Sequence, residues 1–146
     1  MEYFVTGGTG FIGRFLVGQL LQRGGTVHVL VRHGSGQRFE QLQARYPSAG
    51  DRLRPVAGDV ARPLLGLSSP DRERLHGRIG HFFHVAAIYD MKASAESQQA
   101  ANVDGTRHAV QCAEALAAGC FHHVSSIAVA GMYDGNFSED MFEEAG

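Results

Sequence analysis

Residues Thr6-Gly7-Gly8-Thr9-Gly10-Phe11-Ile12-Gly13 hold four glycines in eight positions and follow directly on the apolar run Tyr3-Phe4-Val5. Glycine loses more conformational entropy on folding than any other residue, so a cluster is kept where the backbone needs positive φ or must admit another atom closely. Tyr3-Phe4-Val5 reads as a short buried strand, and Phe11 to Leu21 reads as a helix in which Phe11, Phe15, Leu16 and Leu20 recur at helical spacing. The glycines therefore fill a strand-to-helix turn. There the first helical amides lack intrahelical partners and carry the positive end of the helix dipole, which makes the turn an anion site suited to phosphate. Two registers overlap: Gly8-x-Gly10-x-x-Gly13 has the usual dinucleotide spacing, and Gly7-x-x-Gly10-x-x-Gly13 a wider one. Spacing leaves both open, as it does a glycine-rich turn with no ligand.

Beyond Gly24-Gly25, Thr26 to Arg32 is β-branched and almost continuously apolar, as a strand covered on both faces would be. Gln37 to Tyr46 reads as a short helix with Phe39 and Leu42 inward, and Leu53 to Asp59 as a third strand. Ser69 followed by Pro70 starts a helix running to Ile79. His81 to Ala87 is a fourth strand, Ala95 to Ala118 a long helix closed by Gly119, and Phe121 to Gly131 a fifth strand with its turn. Strands and helices alternate, which predicts a Rossmann-type doubly wound α/β fold with a parallel sheet in the order 3-2-1-4-5. Residues 1–131 form this domain, and residues 132–146 read as a loop or disordered tail. In such a sheet the ligand lies beyond the carboxyl ends of the strands, where the order reverses. The glycine turn, Asp59, Ala86, Ala87 and Ser126 all fall there.

The chain has 146 residues, 44% of them hydrophobic, which is enough for one domain with a core. Its formal net charge of −2 offers no footprint for nucleic acid or anionic membrane. No apolar run approaches the ~20 residues that cross a bilayer. The first residues read as entering a strand at once, without the charged and apolar regions of a secretory leader, and the expectation is a cytoplasmic protein. Cys112 and Cys120 read as ordinary thiols in or beside a helix. The eight histidines show no ligand spacing with a carboxylate or Cys, so no metal is expected.

About 20 residues past the glycine turn an Asp or Glu would favour NAD by binding the adenosine ribose. This chain has Arg32 at that place, at the end of the second strand. A guanidinium can bind a 2'-phosphate through two charge-assisted hydrogen bonds, so the expected cofactor is NADP, with NAD less favoured. Arg38, on the turn into the next helix, offers a second positive charge or is a solvated surface residue.

Five pieces in order resemble an extended short-chain dehydrogenase/reductase, the group that includes epimerases and dehydratases: TGGTGFIG, GDV (Gly58 to Val60), HVAA (His84 to Ala87), NVDGT (Asn102 to Thr106) and VSSIAVAG (Val124 to Gly131). VLVR and GDVARPLLGLSSPDRERL resemble the branch of fatty acyl-CoA reductases and thioester reductase domains. The resemblance selects the register Gly7, Gly10, Gly13, with Phe11 and Ile12 offering amides to the pyrophosphate. It implies that Asp59 and Val60 meet the adenine, that Ala86 and Ala87 leave room for the cofactor, and that Tyr89 lies toward the nicotinamide. Asn102 would support the cofactor site, unless it is a helix-surface amide. Ser126 would hold the carbonyl oxygen of a small-molecule substrate as the catalytic residue of this chain.

The family's general acid is a Tyr with a Lys four residues later, and the single lysine, Lys92, follows Ile88 at that spacing. Two explanations stand: truncation of a longer oxidoreductase after the fifth strand, which is favoured, or a short NADP-binding protein without redox chemistry. In the first, hydride passes to or from a carbonyl that could be an acyl thioester, and the 146 residues alone are inactive. The alternatives are a nucleotide-sugar epimerase or dehydratase and a non-catalytic NADP-sensing module. The unpaired fifth strand leads to an expectation of self-association, and a homodimer is one option for the complete protein.

Overall fold

A computed structural model describes residues 1–86, 94–126, 130–141 and 143. Ala87 and Tyr89 therefore lie outside the described residues. The strands are β1 (Glu2–Thr6), β2 (Thr26–Val31), β3 (Leu53–Ala57), β4 (Ile79–His84) and β5 (Cys120–His123). They form one parallel sheet in the order β3-β2-β1-β4-β5, as expected. The helices are α1 (Phe11–Gln22), α2 (Gly36–Arg45), α3 (Ser69–Leu75), α4 (Ala95–Gln98) and α5 (Gly105–Ala115).

Alternation along the strands divides the core in two. Tyr3, Val5, Val27 and Val29 pack under Val17, Leu20 and Leu21 of α1 and Phe39 and Leu42 of α2. Phe4, Val56 and Phe82 face the other way, against Leu75 of α3, Ala109 and Cys112 of α5, and Leu116 just beyond it. Strands buried on both faces are what a doubly wound sheet requires, and the near-continuous apolar reading of β2 follows from it.

Four local expectations are corrected. Phe11 and Phe15 lie outward, 75% and 47% exposed, because the buried stripe of α1 is Gly13, Val17, Leu20 and Leu21. Their rings meet edge-on with the Arg14 guanidinium 5.1 and 5.0 Å from the two centroids. The helix expected over residues 95–118 runs from Ala95 to Ala115 with a change of winding, a π-helical stretch (Gln99–Asp104) lying between α4 and α5. Ser68, not Ser69, caps α3, its Oγ accepting from the Asp71 amide at 3.2 Å, and the helix ends at Leu75. Cys120 opens β5 rather than lying beside a helix.

Candidate cofactor-binding site

A cleft of about 480 Å³ opens beyond the carboxyl ends of β1, β2 and β4, where the sheet order reverses. Its floor is the glycine turn. Gly7 has φ +71°, and a Cβ there would stand 2.7 Å from the Ala86 nitrogen. A Cβ on Gly10 would stand 3.3 Å from the Gly7 oxygen, and one on Gly13 would overlap that same oxygen. Gly8 instead faces the Val29 side chain at 2.9 Å, within the core. The wider register is thus the one whose bare backbones meet each other at the cleft. Gly10 caps α1 without a side-chain hydrogen bond, and no acidic residue occupies the first turn. The first helical bond runs from the Arg14 amide to the Gly10 oxygen, so the amides of Phe11, Ile12 and Gly13 precede it and stand at the positive end of the helix. These bare approaches and amides fit a pyrophosphate.

Phe11, Ile12, Arg32, Arg38, Val60 and Ala86 also line the cleft. Arg32 lies one residue past β2 and Arg38 in the first turn of α2, and the two share the rim with Ser35, Gln37 and Gln41. Asp59 sits beside the cleft with its carboxylate turned to a local bend, Oδ1 accepting from the Ala61 amide at 2.9 Å. Asn102 belongs to the π-helical turn, where its carbonyl accepts from Thr106 Oγ1 at 2.7 Å. Ser126 follows β5 beyond its carboxyl end, at the same end of the sheet but outside the lining of the cleft. Thr9, Leu30, Val31, Ser35 and Val85 line it as well. The sequence does not single them out because they are flanking residues of the strand ends and turns.

The loops of the cleft are held from behind by two histidines that the sequence reading leaves without a role. Thr6 Oγ1 accepts from the amides of Val85 and Ala86 at 3.1 and 3.2 Å, which fills its lone pairs. Its hydroxyl proton is then directed at His84 Nδ1, 2.7 Å away. His84 is thereby the Nε2–H tautomer, with Thr106 Oγ1 3.4 Å from Nε2 and the Thr106 hydroxyl donating in turn to Asn102. Burial, with His123 nearby, lowers the His84 pKa to about 4. His108 Nδ1 donates to the Val60 oxygen at 2.8 Å and so ties α5 to the loop after β3. That loop is braced again from Leu64 to Gly66, three successive residues in the left-handed region, where the Leu65 oxygen accepts from the Asp59 amide at 2.8 Å. Left-handed backbone costs roughly 1–2 kcal/mol per non-glycine residue, and the complete burial of Leu65 offsets it.

The chain has known relatives. Residues 5–146 match the model of an NAD-binding family described as Male sterility protein. Fatty acyl-CoA reductase 1 of Xenopus laevis is 29% identical over 128 residues, which are 77% of this chain and 25% of that protein. The solved terminal R domain from the myxalamid PKS-NRPS biosynthetic pathway superposes with a TM-score of 0.75 at 33% identity, over 88% of this chain and 35% of its own. The solved reductase (R) domain of the nonribosomal peptide synthetase from Mycobacterium tuberculosis gives a TM-score of 0.71 at 30% identity, over 91% and 35% of the two chains. The chain thus spans between 25% and 35% of these relatives. With nearly every residue inside the matched region, the chain belongs to the Male sterility protein family, on the fatty acyl-CoA reductase-like branch of the extended short-chain dehydrogenases/reductases.

Proposed function

We propose that this chain is the NADP(H)-binding part of a reductase that delivers hydride to the carbonyl of an acyl thioester. The observation that carries the cofactor choice is the pairing of Arg32 and Arg38 on one rim of the cleft, among neutral polar side chains. Two guanidiniums there suit the 2'-phosphate of NADP, whereas a ribose with free hydroxyls would be served by a carboxylate. The amides of Phe11, Ile12 and Gly13 would hold the pyrophosphate, Val60 would border the adenine, and Ala86 would leave the cofactor's path open. The thioester is supported by the relatives, which are named as acyl-CoA reductases and as R domains of peptide-synthetase pathways.

Bound nicotinamide supplies the hydride. Ser126 is assigned the hydrogen bond to the carbonyl oxygen, which orients it and stabilises the charge that develops there. A proton must also reach that oxygen, and Lys92 does not have the family's spacing from a tyrosine. The donor is therefore assigned to residues other than these 146, and the chain alone is expected to bind cofactor without turnover.

Calorimetric titration of the chain with NADPH and NADH tests the assignment. Loss of a charge-assisted phosphate contact costs about 1.5–3 kcal/mol, so Arg32→Ala should weaken NADPH roughly 10- to 100-fold and change NADH little. Equal weakening of both cofactors would overturn the choice of NADP.

A further inference from the structure

We propose that His81, Cys120 and His122 form a binding site for one divalent transition-metal ion, with Zn²⁺ as the natural occupant. The site lies along the β4–β5 ladder, and none of the three residues lines the cofactor cleft. The parallel register sets His81 of β4 beside Cys120 and Phe83 beside His122 of β5. Cys120 and His122, two residues apart on one strand, share a face, and His81 joins them across the ladder. One ligand atom from each of the three falls within 4.8 Å of the others. Two imidazole nitrogens and a thiolate are the donors that Zn²⁺ takes, and three protein ligands leave a fourth tetrahedral position for water.

His81 Nδ1 and His122 Nε2 lie 2.9 Å apart, a spacing that puts a shared proton between two lone pairs. A metal ion would replace that proton. With Zn–N bonds of about 2.0–2.1 Å at the tetrahedral angle, the nitrogens need only part to about 3.3 Å. Both rings are already oriented: His122 stacks on Phe83 at 4.4 Å and 12°, and His81 stacks on Tyr3 at 6.1 Å and 29°. Such support lowers the ordering cost of binding. Cys120 is exposed and gives the ion a way in, whereas Cys112 is buried with its thiol pKa pushed up to about 12. A bound ion would join β5 to the rest of the sheet through side chains as well as through the ladder.

The test is a Co²⁺ titration of the chain under a non-chelating phosphine reductant, followed by visible absorption, with Zn²⁺ calorimetry and thermal melts alongside. Expected are one equivalent of ion, a thiolate-to-cobalt charge-transfer band that Zn²⁺ displaces, and a rise in Tm with Zn²⁺. Cys120→Ser should abolish the band and the Tm rise and weaken Zn²⁺ at least tenfold. His122→Gln should weaken Zn²⁺ comparably, and Cys112→Ser and His123→Gln should leave all three readouts intact. Absence of the band, a band that survives Cys120→Ser, or equal Zn²⁺ affinity in wild type and Cys120→Ser would overturn the proposal.

Discussion

His84 shows how much of this site rests on one proton. As the neutral Nε2–H tautomer it accepts from Thr6, which itself receives the amides of Val85 and Ala86 from the loop at the cleft. A second proton on Nδ1 would face a hydroxyl whose lone pairs are already used, within a side chain only 1% exposed. The folded pKa of about 4 lies below the ordinary 6.5, so between these values the unfolded chain binds a proton that the folded chain refuses. Stability is therefore complete above about pH 6.5 and falls as acid is added, by about 3 kcal/mol from this residue by pH 4. Buried His28, its pKa also lowered by burial against an opposing hydrogen bond to Glu2, acts in the same direction. An NMR titration of the His84 ring should give a pKa near 4, and urea midpoints should depend less on pH between 7 and 4.5 in His84→Gln. A ring that titrates at 6.5 would refute this account.

Helix α1 follows the glycine turn, and beside their shared core a close fit at Gly18 joins it to the end of α2. Tyr46, at the end of α2, donates from its hydroxyl to the Arg14 oxygen at 2.6 Å. Gly18 leaves the space for it, since a Cβ there would stand 2.5 Å from the Tyr46 oxygen. Tyr46→Phe should lower stability by about 1 kcal/mol in urea denaturation. Gly18→Ala should destabilise the wild type although alanine is the better helix former by about 1 kcal/mol, and should become neutral or favourable in a Tyr46→Ala background. Failure of the two changes to couple would separate the residues. At this scale the sequence was most informative: the apolar runs placed all five strands, and the glycines placed the turn. The phase of α1 was not legible, because Phe11 and Phe15 repeat at the same interval as Val17 and Leu21, and only the sheet decides which stripe it covers. Nor was the π-helical turn, since alanines suit either winding.

Across the whole molecule, the two borders of the sheet differ. The outer strand β3 carries Pro55 and the exposed Arg54, both of which discourage pairing with another chain. Among the described residues β5 pairs only with β4 and carries neither proline nor a fixed charge. The 146-residue chain should therefore associate through β5, and sedimentation velocity should show an average mass that rises with concentration. A sharp monomer at the highest attainable concentration would contradict this. Strand order was readable from the alternation of elements, but pairing register was not, and so the meeting of His81 with Cys120 and His122 stayed hidden: the histidine on β4 is remote in sequence, and Cys120-x-His122 alone is too short a signal. Arg32 was legible because a strand end fixes its place, and Arg38 because it opens the next helix.

Where Gly7 passes Ala86, main chain rubs against main chain, and no side chain can be trimmed or enlarged to alter the gap. The width of the nucleotide's berth is in that sense inherited from the weave of the sheet, while on the proposed assignment the taste for one coenzyme over another would be written on the outer bank, at Arg32 and Arg38. A redesign of that taste can accordingly be confined to solvent-facing positions without unpicking the fold beneath them.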